Sequence, residues 1–148
     1  MGETMARITV HLHGTPKEKA NRGLLEMYSQ RLLARGIRLE YHSDKVSVDG
    51  YVALLEKKKG NLVYMDESGE MLDSIQFSKH VHGWNIAVEE THLAIGPAQG
   101  WPANGMSEKA QRLSLSKMTF PHELASVLLV EQLYRATEIL RGTAYHKA

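Results

Sequence analysis

The sequence contains no cysteine, which excludes disulfide bonds, thiolate nucleophiles and cysteine-ligated zinc sites. It has no apolar run approaching the roughly 18–20 residues of a membrane-spanning helix, and its first residues lack the pattern of a secretory signal. Neither sign of charge dominates, because 18 basic residues face 17 acidic ones. This balance neither indicates nor excludes an RNA partner. We expect a cytoplasmic protein, or an organellar one if a targeting segment has been removed.

Three common nucleotide-binding and catalytic signatures are also missing. The chain has no G-x-G-x-x-G dinucleotide motif, no G-x-x-x-x-G-K-[ST] phosphate loop and no G-x-S-x-G nucleophile turn. These absences leave serine-type hydrolysis without support. The length of 148 residues suits one domain with a sizeable core. We therefore interpret residues 1–148 as a single domain.

Strand and helix patterns alternate along the chain. Alternation with β-branched residues predicts a first strand at Arg7–His13. Further short apolar segments are predicted to be strands: Ile37–Tyr41, Asn61–Met65, Thr91–Ile95 and Leu113–Leu115. Such an alternation predicts an α/β fold with a mainly parallel sheet flanked by helices.

Helices are predicted between these strands. The first is expected to open near Lys17, with Thr15 as N-cap and Pro16 at the first helical position. The other predicted helices lie within Val46–Lys58, Met71–Lys79, Ser107–Leu113 and Pro121–Leu140.

The carboxyl ends of the predicted strands are the candidate binding edge, because ligands of parallel α/β sheets bind there. The predicted ligand-binding positions are therefore Met65-Asp66, Ile95-Gly96 and Leu115-Ser116. The Gly96–Gly100 loop carries glycines at both ends, which permit close approach of a ligand to the backbone. Taken alone, the same residues also describe an ordinary loop.

The helix predicted from Pro121 is apolar around most of its circumference, with Leu124, Val127, Leu128, Leu129, Val130 and Leu133. A helix of this kind must be buried on nearly every side. In a domain of this size we expect a second copy of the chain to cover one side. The alternative is a central core helix in a monomer.

The histidine pairs give little support for a metal site. His11 and His13 share one face of a predicted strand, and His80 and His82 would do the same in an extended segment. Zinc needs a third or fourth ligand, and no residue supplies it with a recognisable spacing. We expect solvent-facing strand histidines and no metal.

The chain ends in an ionisable tail. Arg135 is a cation on an otherwise apolar helix, and Glu131, four residues earlier, is its expected partner. Arg141, Tyr145 and His146 follow at the end of that helix and beyond it. Such tails normally fray, so one with these residues is a candidate to fold over a site.

Three C-terminal segments closely resemble one known family. They are LSLSKMTFPH from Leu113 to His122, VEQLYRA from Val130 to Ala136, and RGTAYHK from Arg141 to Lys147. The family is that of the ribosomal large-subunit pseudouridine-N3 methyltransferases (the RlmH family), of the SPOUT class. The resemblance implies a SPOUT-type α/β knot, with a deep C-terminal trefoil knot, and a homodimer. It also implies S-adenosyl-L-methionine as cofactor and a pseudouridine of large-subunit (23S) rRNA, in the assembled ribosome, as substrate, with no membrane partner.

Family residues carry over to this sequence position by position. The resemblance implies cofactor contacts at Met65, Gly96, Leu115, Ser116, Lys117, Met118, Thr119 and Phe120. It also places a catalytic set of His146, Tyr145 and Arg135 near the site, without fixing which residue takes the proton. From their chemistry we hypothesise that His146 is the general base, that Tyr145 stacks on or hydrogen-bonds the target base, and that Arg135 stabilises developing charge or holds a phosphate. The family usually has two adjacent glycines where this chain has Gly96-Pro97. Alternative functions are a non-catalytic RNA-binding dimer of this fold and a SPOUT methyltransferase that acts on tRNA.

Overall fold

The computed structural model describes residues 6–147. Its elements in chain order are β1 (Ile8–His13), α1 (Lys19–Leu33), β2 (Ile37–His42), α2 (Val48–Glu56), β3 (Asn61–Met71), α3 (Ser74–Ile86), β4 (Thr91–Ala94), β5 (Gln111–Ser114) and α4 (His122–Arg141). The strands form one sheet in the order β2-β1-β4-β3-β5, and every pairing is parallel. The predicted parallel α/β architecture is confirmed, while the depth of the C-terminal knot stays a prediction.

Helices cover both faces of the sheet. Alternate residues of β1, among them Ile8 and Val10, pack under α1, α3 and α4 in the main core. On the opposite face, α2 places Tyr51 and Leu55 against Tyr64 of β3. Every residue of β1 is buried, as expected for a central strand of a doubly covered parallel sheet.

Burial of β1 overturns the expectation of solvent-facing histidines. His11 has no exposed surface and His13 is 6% exposed. The sequence pattern was misleading because histidine usually lies at surfaces, whereas here three histidine rings satisfy one another inside the fold. The prediction that His80 and His82 share one face of a strand is also wrong, because both lie on α3 and point to different sides of the helix.

The start of α1 differs from the prediction because a distant residue caps it. The helix begins at Lys19, and its N-cap Glu18 makes no side-chain cap. Instead the carboxylate of Glu123, at the start of α4, accepts hydrogen bonds from the backbone N–H groups of Lys17 (2.9 Å) and Glu18 (3.2 Å). The predicted cap at Thr15 is therefore wrong, since tertiary contact replaces the local signal.

The helix predicted at Met71–Lys79 lies further along the chain. A capping box of Asp73 and Gln76 fixes its start, with Gln76 N–H donating to Asp73 Oδ1 (2.7 Å) and Asp73 N–H donating to Gln76 Oε1 (2.9 Å). The helix predicted at Ser107–Leu113 is wrong, because residues 107–110 form a turn and the rest of the segment belongs to β5.

An irregularity in β3 shapes the binding edge. Both Met65 and Glu70 pair with Leu113 of β5, so the intervening residues bulge out of the strand. A Cβ atom on Gly69 would lie 2.6 Å from the backbone of Arg112, so the close approach of these strands requires glycine. No helix of the described residues is long and apolar enough to cross a membrane.

Candidate active site

A cavity of about 750 Å³ opens at the carboxyl ends of β3, β4 and β5. The predicted strand ends all contribute to its walls, and the start of α4 closes one side. The lining comprises Met65, Asp66, Glu67, Ile95, Gly96, Pro97, Ala98, Gly100, Trp101, Pro102, Met106, Arg112, Leu115, Ser116, Met118, Thr119, Phe120, Pro121, His122 and Ala125. This volume lies within the roughly 300–1,000 Å³ range of small-molecule sites.

The residues predicted to contact a cofactor are brought together here. Seven of the eight line the cavity: Met65, Gly96, Leu115, Ser116, Met118, Thr119 and Phe120. The eighth, Lys117, is exposed and is not among the lining residues. Lys117 therefore lies in the same loop as the lining residues after β5 without forming part of the wall.

The loop after β5 is joined to the β3 bulge across the cavity. Thr119 Oγ1 donates to Glu67 Oε2 at 2.6 Å. Arg112 Nη1 lies 3.5 Å from Asp66 Oδ2. Since these residues also line the cavity, its walls combine apolar surface with carboxylates and a guanidinium. Such walls suit a ligand that carries an apolar body with both positive and negative groups.

Trp101 is a wall residue that the sequence interpretation missed. Its indole N–H donates to the backbone oxygen of Met65 at 2.8 Å. A Cβ atom on Gly96 would lie 3.1 Å from the indole nitrogen, so a larger residue here would displace the indole by a few tenths of an ångström. The ring also stacks on Tyr51 with an interplanar angle of 1°. The indole therefore connects the first two strand ends of the cavity.

A second, more apolar cavity of about 410 Å³ lies beside the first. Met65, Leu115 and Phe120 line both cavities. The remaining walls come from the start of α3 and the middle of α4, including Phe77 and Leu128. Met71 and Ile75, which adjoin its lining residues along the chain, are exposed, and so is Leu124, which lies one helical turn before the lining residue Leu128.

The predicted catalytic residues contact one another but lie outside the lining of the large cavity. Arg135 Nη2 donates to Glu131 Oε2 at 2.8 Å, and Tyr145 donates to the same oxygen at 2.9 Å. Arg135 Nη1 lies 3.1 Å from His146 Nδ1. We call Glu131, Arg135, Tyr145 and His146 the tail cluster. Among residues 6–147, the lining of the large cavity includes no member of the tail cluster.

The tail is packed against two helices rather than frayed. The Tyr145 ring makes an edge contact with Tyr134, with centroids 5.0 Å apart, and its hydroxyl lies 3.4 Å from that of Tyr28. Burial, together with hydrogen bonds to Tyr28 and Glu131, raises the pKa of Tyr145 above its usual value. The carboxylate of Glu131 likewise raises the pKa of Arg135. Tyr145 is therefore a neutral hydrogen-bond donor at physiological pH.

The contact between Arg135 and His146 determines which histidine nitrogen carries the proton. A guanidinium only donates hydrogen bonds, so Nδ1 of His146 accepts from Arg135. The neutral imidazole then carries its proton on Nε2. In this arrangement no lone pair of the ring remains available to take a proton.

Comparisons with known proteins identify the family. The family model described as "Predicted SPOUT methyltransferase" matches residues 6–146. The chain belongs to the SPOUT methyltransferase family.

Similar proteins carry the name "Ribosomal RNA large subunit methyltransferase H". The one from Maridesulfovibrio salexigens is 40% identical over 109 residues, which are 70% of this chain and 67% of that protein. The one from Kosmotoga olearia is 41% identical over 97 residues, 65% of this chain and 62% of that protein. The one from Koribacter versatilis is 36% identical over 138 residues, 90% of this chain and 92% of that protein.

A solved structure of another protein has a fold similar to that of this chain. The crystal structure of TrmJ from Z. mobilis ZM4 superposes with a TM-score of 0.52, covering 95% of this chain and 71% of that chain at 10% sequence identity. At this identity the likeness concerns the fold alone. The fold of this SPOUT methyltransferase thus agrees with the family assignment made from its sequence.

Proposed function

We propose that this SPOUT methyltransferase transfers a methyl group from S-adenosyl-L-methionine to N3 of a pseudouridine in large-subunit ribosomal RNA, acting on assembled ribosomes. The observation that carries the proposal is the convergence of three strand ends on one cavity, lined by seven of the eight residues expected to contact the cofactor. The family and the names of the relatives support the reaction class and the type of RNA.

The cavity residues fit such a cofactor. When bound, S-adenosyl-L-methionine supplies an electrophilic methyl group on a sulfonium centre. Asp66 and Glu67 offer carboxylates for positive charge, and Arg112 offers a guanidinium for a carboxylate. Leu115 and Phe120 supply apolar surface for a purine ring. The walls align the donor and exclude water from one side of it.

The target nitrogen must lose its proton before it attacks a methyl group, so a base or a stabilised anion is required. We propose His146 as that base and Arg135 as the residue that stabilises the charge on the ring oxygens. Nδ1 of His146 is occupied by Arg135 in this structure. Substrate engagement is therefore expected to move Arg135 from His146 onto the RNA, which frees a ring nitrogen to accept the proton.

We further propose that the enzyme works as a homodimer, in which the tail cluster of one subunit meets the large cavity of the other. On α4 the cavity-lining residues His122 and Ala125 lie at the start, while Arg135 lies near the end. Exposed apolar side chains near the second cavity, Ile75 beside Ser74 and Leu124 one helical turn before Leu128, supply a face for a partner. The homodimer is expected to bury these side chains.

The decisive experiment is a methyl-transfer assay on ribosomes that lack the modification, with mass spectrometry to locate the product. We expect one methylated pseudouridine in large-subunit RNA and little activity on naked RNA. Calorimetry with S-adenosyl-L-methionine separates the alternatives: a non-catalytic dimer would not bind it, and a tRNA enzyme would bind it but methylate tRNA.

The role of His146 has its own test. His146→Ala should bind cofactor almost normally while turnover falls by about 10²-fold or more, the usual scale for general acid–base catalysis. His82→Ala is a matched control, because His82 is an exposed histidine on α3 away from the cavity lining. Turnover of His146→Ala equal to that of this control would remove His146 from the mechanism.

A further inference from the structure

Three histidines form a hydrogen-bonded row across the sheet, on the side opposite the main core. His11 of β1 lies between His42 of β2 and His92 of β4. Its Nδ1 is 2.8 Å from His42 Nε2, and its Nε2 is 2.8 Å from His92 Nδ1. A carboxylate stands at each end, with Glu40 Oε2 3.5 Å from His42 Nε2 and Glu90 Oε1 3.7 Å from His92 Nε2. The proposed methyltransferase mechanism does not use any of these residues.

Burial keeps these rings neutral. It lowers the pKa of His11 to about 3, and the neighbouring imidazoles of His92 and His42 act in the same direction. Burial also lowers the pKa values of His42 and His92, although Glu40 and Glu90 oppose that effect. Neutral imidazoles have a lone pair on one nitrogen, which is the form that binds metals.

The carboxylate of Glu90 favours one set of proton positions along the row. It lies 3.7 Å from Nε2 of His92, beyond hydrogen-bond distance, and its negative charge favours a proton on that nitrogen and a lone pair on Nδ1 of His92. Nε2 of His11 must then be the donor in the His11–His92 contact. The lone pair on Nδ1 of His11 therefore points at His42, beside Glu40.

We propose that His11, Glu40 and His42 form a binding site for a divalent transition-metal ion of the zinc type, held between β1 and the edge strand β2. One ligand atom from each residue lies within 4.8 Å of the others. Two atoms bound tetrahedrally to one Zn²⁺ at about 2.0–2.1 Å are roughly 3.3 Å apart. The 3.5 Å separation of Glu40 Oε2 and His42 Nε2 matches this value, and the 2.8 Å His11–His42 contact has to widen slightly.

The ion takes the place of one proton. Nε2 of His42 now donates toward His11 Nδ1 and Glu40, both of which are acceptors. On binding, Nε2 releases that proton to solvent and Nδ1 takes one up, so His42 stays neutral in its other tautomer and Nε2 becomes a ligand. No electron is transferred. A water molecule would occupy the fourth coordination position of the ion, as in other sites with three protein ligands.

His92 and Glu90, on the far side of His11 from His42, fix the orientation of the His11 ring. Metal-binding histidines usually donate their second ring N–H to a further acceptor, which fixes the ring and its tautomer. His11 does this toward His92, which in turn faces Glu90. Thr9, also on β1, donates from Oγ1 to Glu90 Oε2 at 2.5 Å and holds that carboxylate in position.

Two cations compete with the ion for Glu40. Arg38 Nη2 lies 3.3 Å from Glu40 Oε1, and Lys58 Nζ lies 4.0 Å from Oε2. Both side chains are partly exposed, so both are able to turn into solvent. We therefore expect moderate affinity, for which Zn²⁺ and Co²⁺ are the suitable probes.

The test uses the untagged full-length chain, freed of metal by a chelator and dialysis. Titration with Zn²⁺ should show one ion per chain, and Co²⁺ should give the visible absorption of a four-coordinate site. His42→Asn and Glu40→Gln should each weaken binding by about 10-fold or more. Both positions are partly exposed, so these variants are expected to fold, which circular dichroism verifies.

His82→Asn provides the matched control, because it removes an exposed histidine from α3 and should leave binding unchanged. Zn²⁺ should also raise the melting temperature of the wild type and of this control, but not that of His42→Asn. The proposal is overturned if the wild type binds no stoichiometric ion, or if His42→Asn binds Zn²⁺ as tightly as the wild type does.

Discussion

The hydroxyl of Tyr145 should determine how firmly the C-terminal tail is held. It donates to Glu131 Oε2 at 2.9 Å, and the same oxygen accepts from Arg135 at 2.8 Å. The Tyr145 ring is also fixed by its edge contact with Tyr134. Tyr145→Phe keeps the ring and removes only the hydrogen bond.

The size of the effect follows from that bond. A hydrogen bond to a charged group contributes about 1.5–3 kcal/mol. Glu131 is partly exposed, with 20% of its side chain accessible, so we take the lower end of the range. A loss of about 1.5 kcal/mol raises the population of undocked tail roughly 10-fold. Amides of residues 143–147 should therefore exchange with solvent about 10-fold faster in Tyr145→Phe.

Hydrogen exchange read by mass spectrometry on C-terminal peptides measures this directly, and carboxypeptidase digestion gives a second readout. Tyr134→Phe is the matched control, because the Tyr134 hydroxyl makes no hydrogen bond within the part of the chain that the structure describes. The control should exchange like the wild type. Equal exchange in Tyr145→Phe and Tyr134→Phe would refute the idea that the Glu131 bond holds the tail.

Two further predictions concern stability. Gly60 has a φ of +107°, and a Cβ atom there would lie 2.2 Å from the carbonyl oxygen of Glu90, so Gly60→Ala should cost about 3 kcal/mol or more. Gly23 lies within α1 with open space around it, so Gly23→Ala should stabilise the folded protein by about 0.5–1 kcal/mol. Denaturant titration compares the unfolding midpoints of the two variants, and equal midpoints would contradict the prediction. Arg35 lowers the pKa of Glu138, so their 2.8 Å ion pair stabilises above the usual carboxyl pKa and is lost as the pH falls below about 4. The melting temperature of Arg35→Gln should accordingly lie below that of the wild type at pH 7. The difference should shrink in acid to the part that comes from the Arg35 contacts with Thr137 and Tyr134, which do not titrate with Glu138. A constant difference at all pH values would disprove this linkage.

The strands were predictable because their signal is local. The segment Arg7–His13 was predicted as a strand from β-branched alternation, and β1 spans Ile8–His13. Helix starts were harder, since a carboxylate from Glu123, over a hundred residues away, takes the place of the expected cap of α1. A long-range contact of this kind leaves no trace in a window of neighbouring residues.

The candidate site likewise has parts that were predictable from local sequence and parts that were not. The three strand ends were predictable, because the carboxyl ends of parallel strands meet at one edge, and the pair of Glu131 and Arg135 follows from helix spacing. The bond from Trp101 to Met65 depends on the path of a loop and was not predictable. The contact of Tyr145 with Glu131 depends on how the tail turns back after the helix.

Chain geometry supports the proposal that two subunits together form the site. Ala125 lines the cavity and Gly142 ends α4, so at 1.5 Å per residue the helix separates them by about 25 Å. His146 lies four residues after Gly142, and a fully extended chain of that length spans at most about 14 Å. Even with every tail contact broken, the backbone of His146 would stop roughly 11 Å short of the level of Ala125. Because a rigid helix fixes this gap, we expect the proposed base to reach a methyl donor in the cavity when a second subunit supplies one of the two parts.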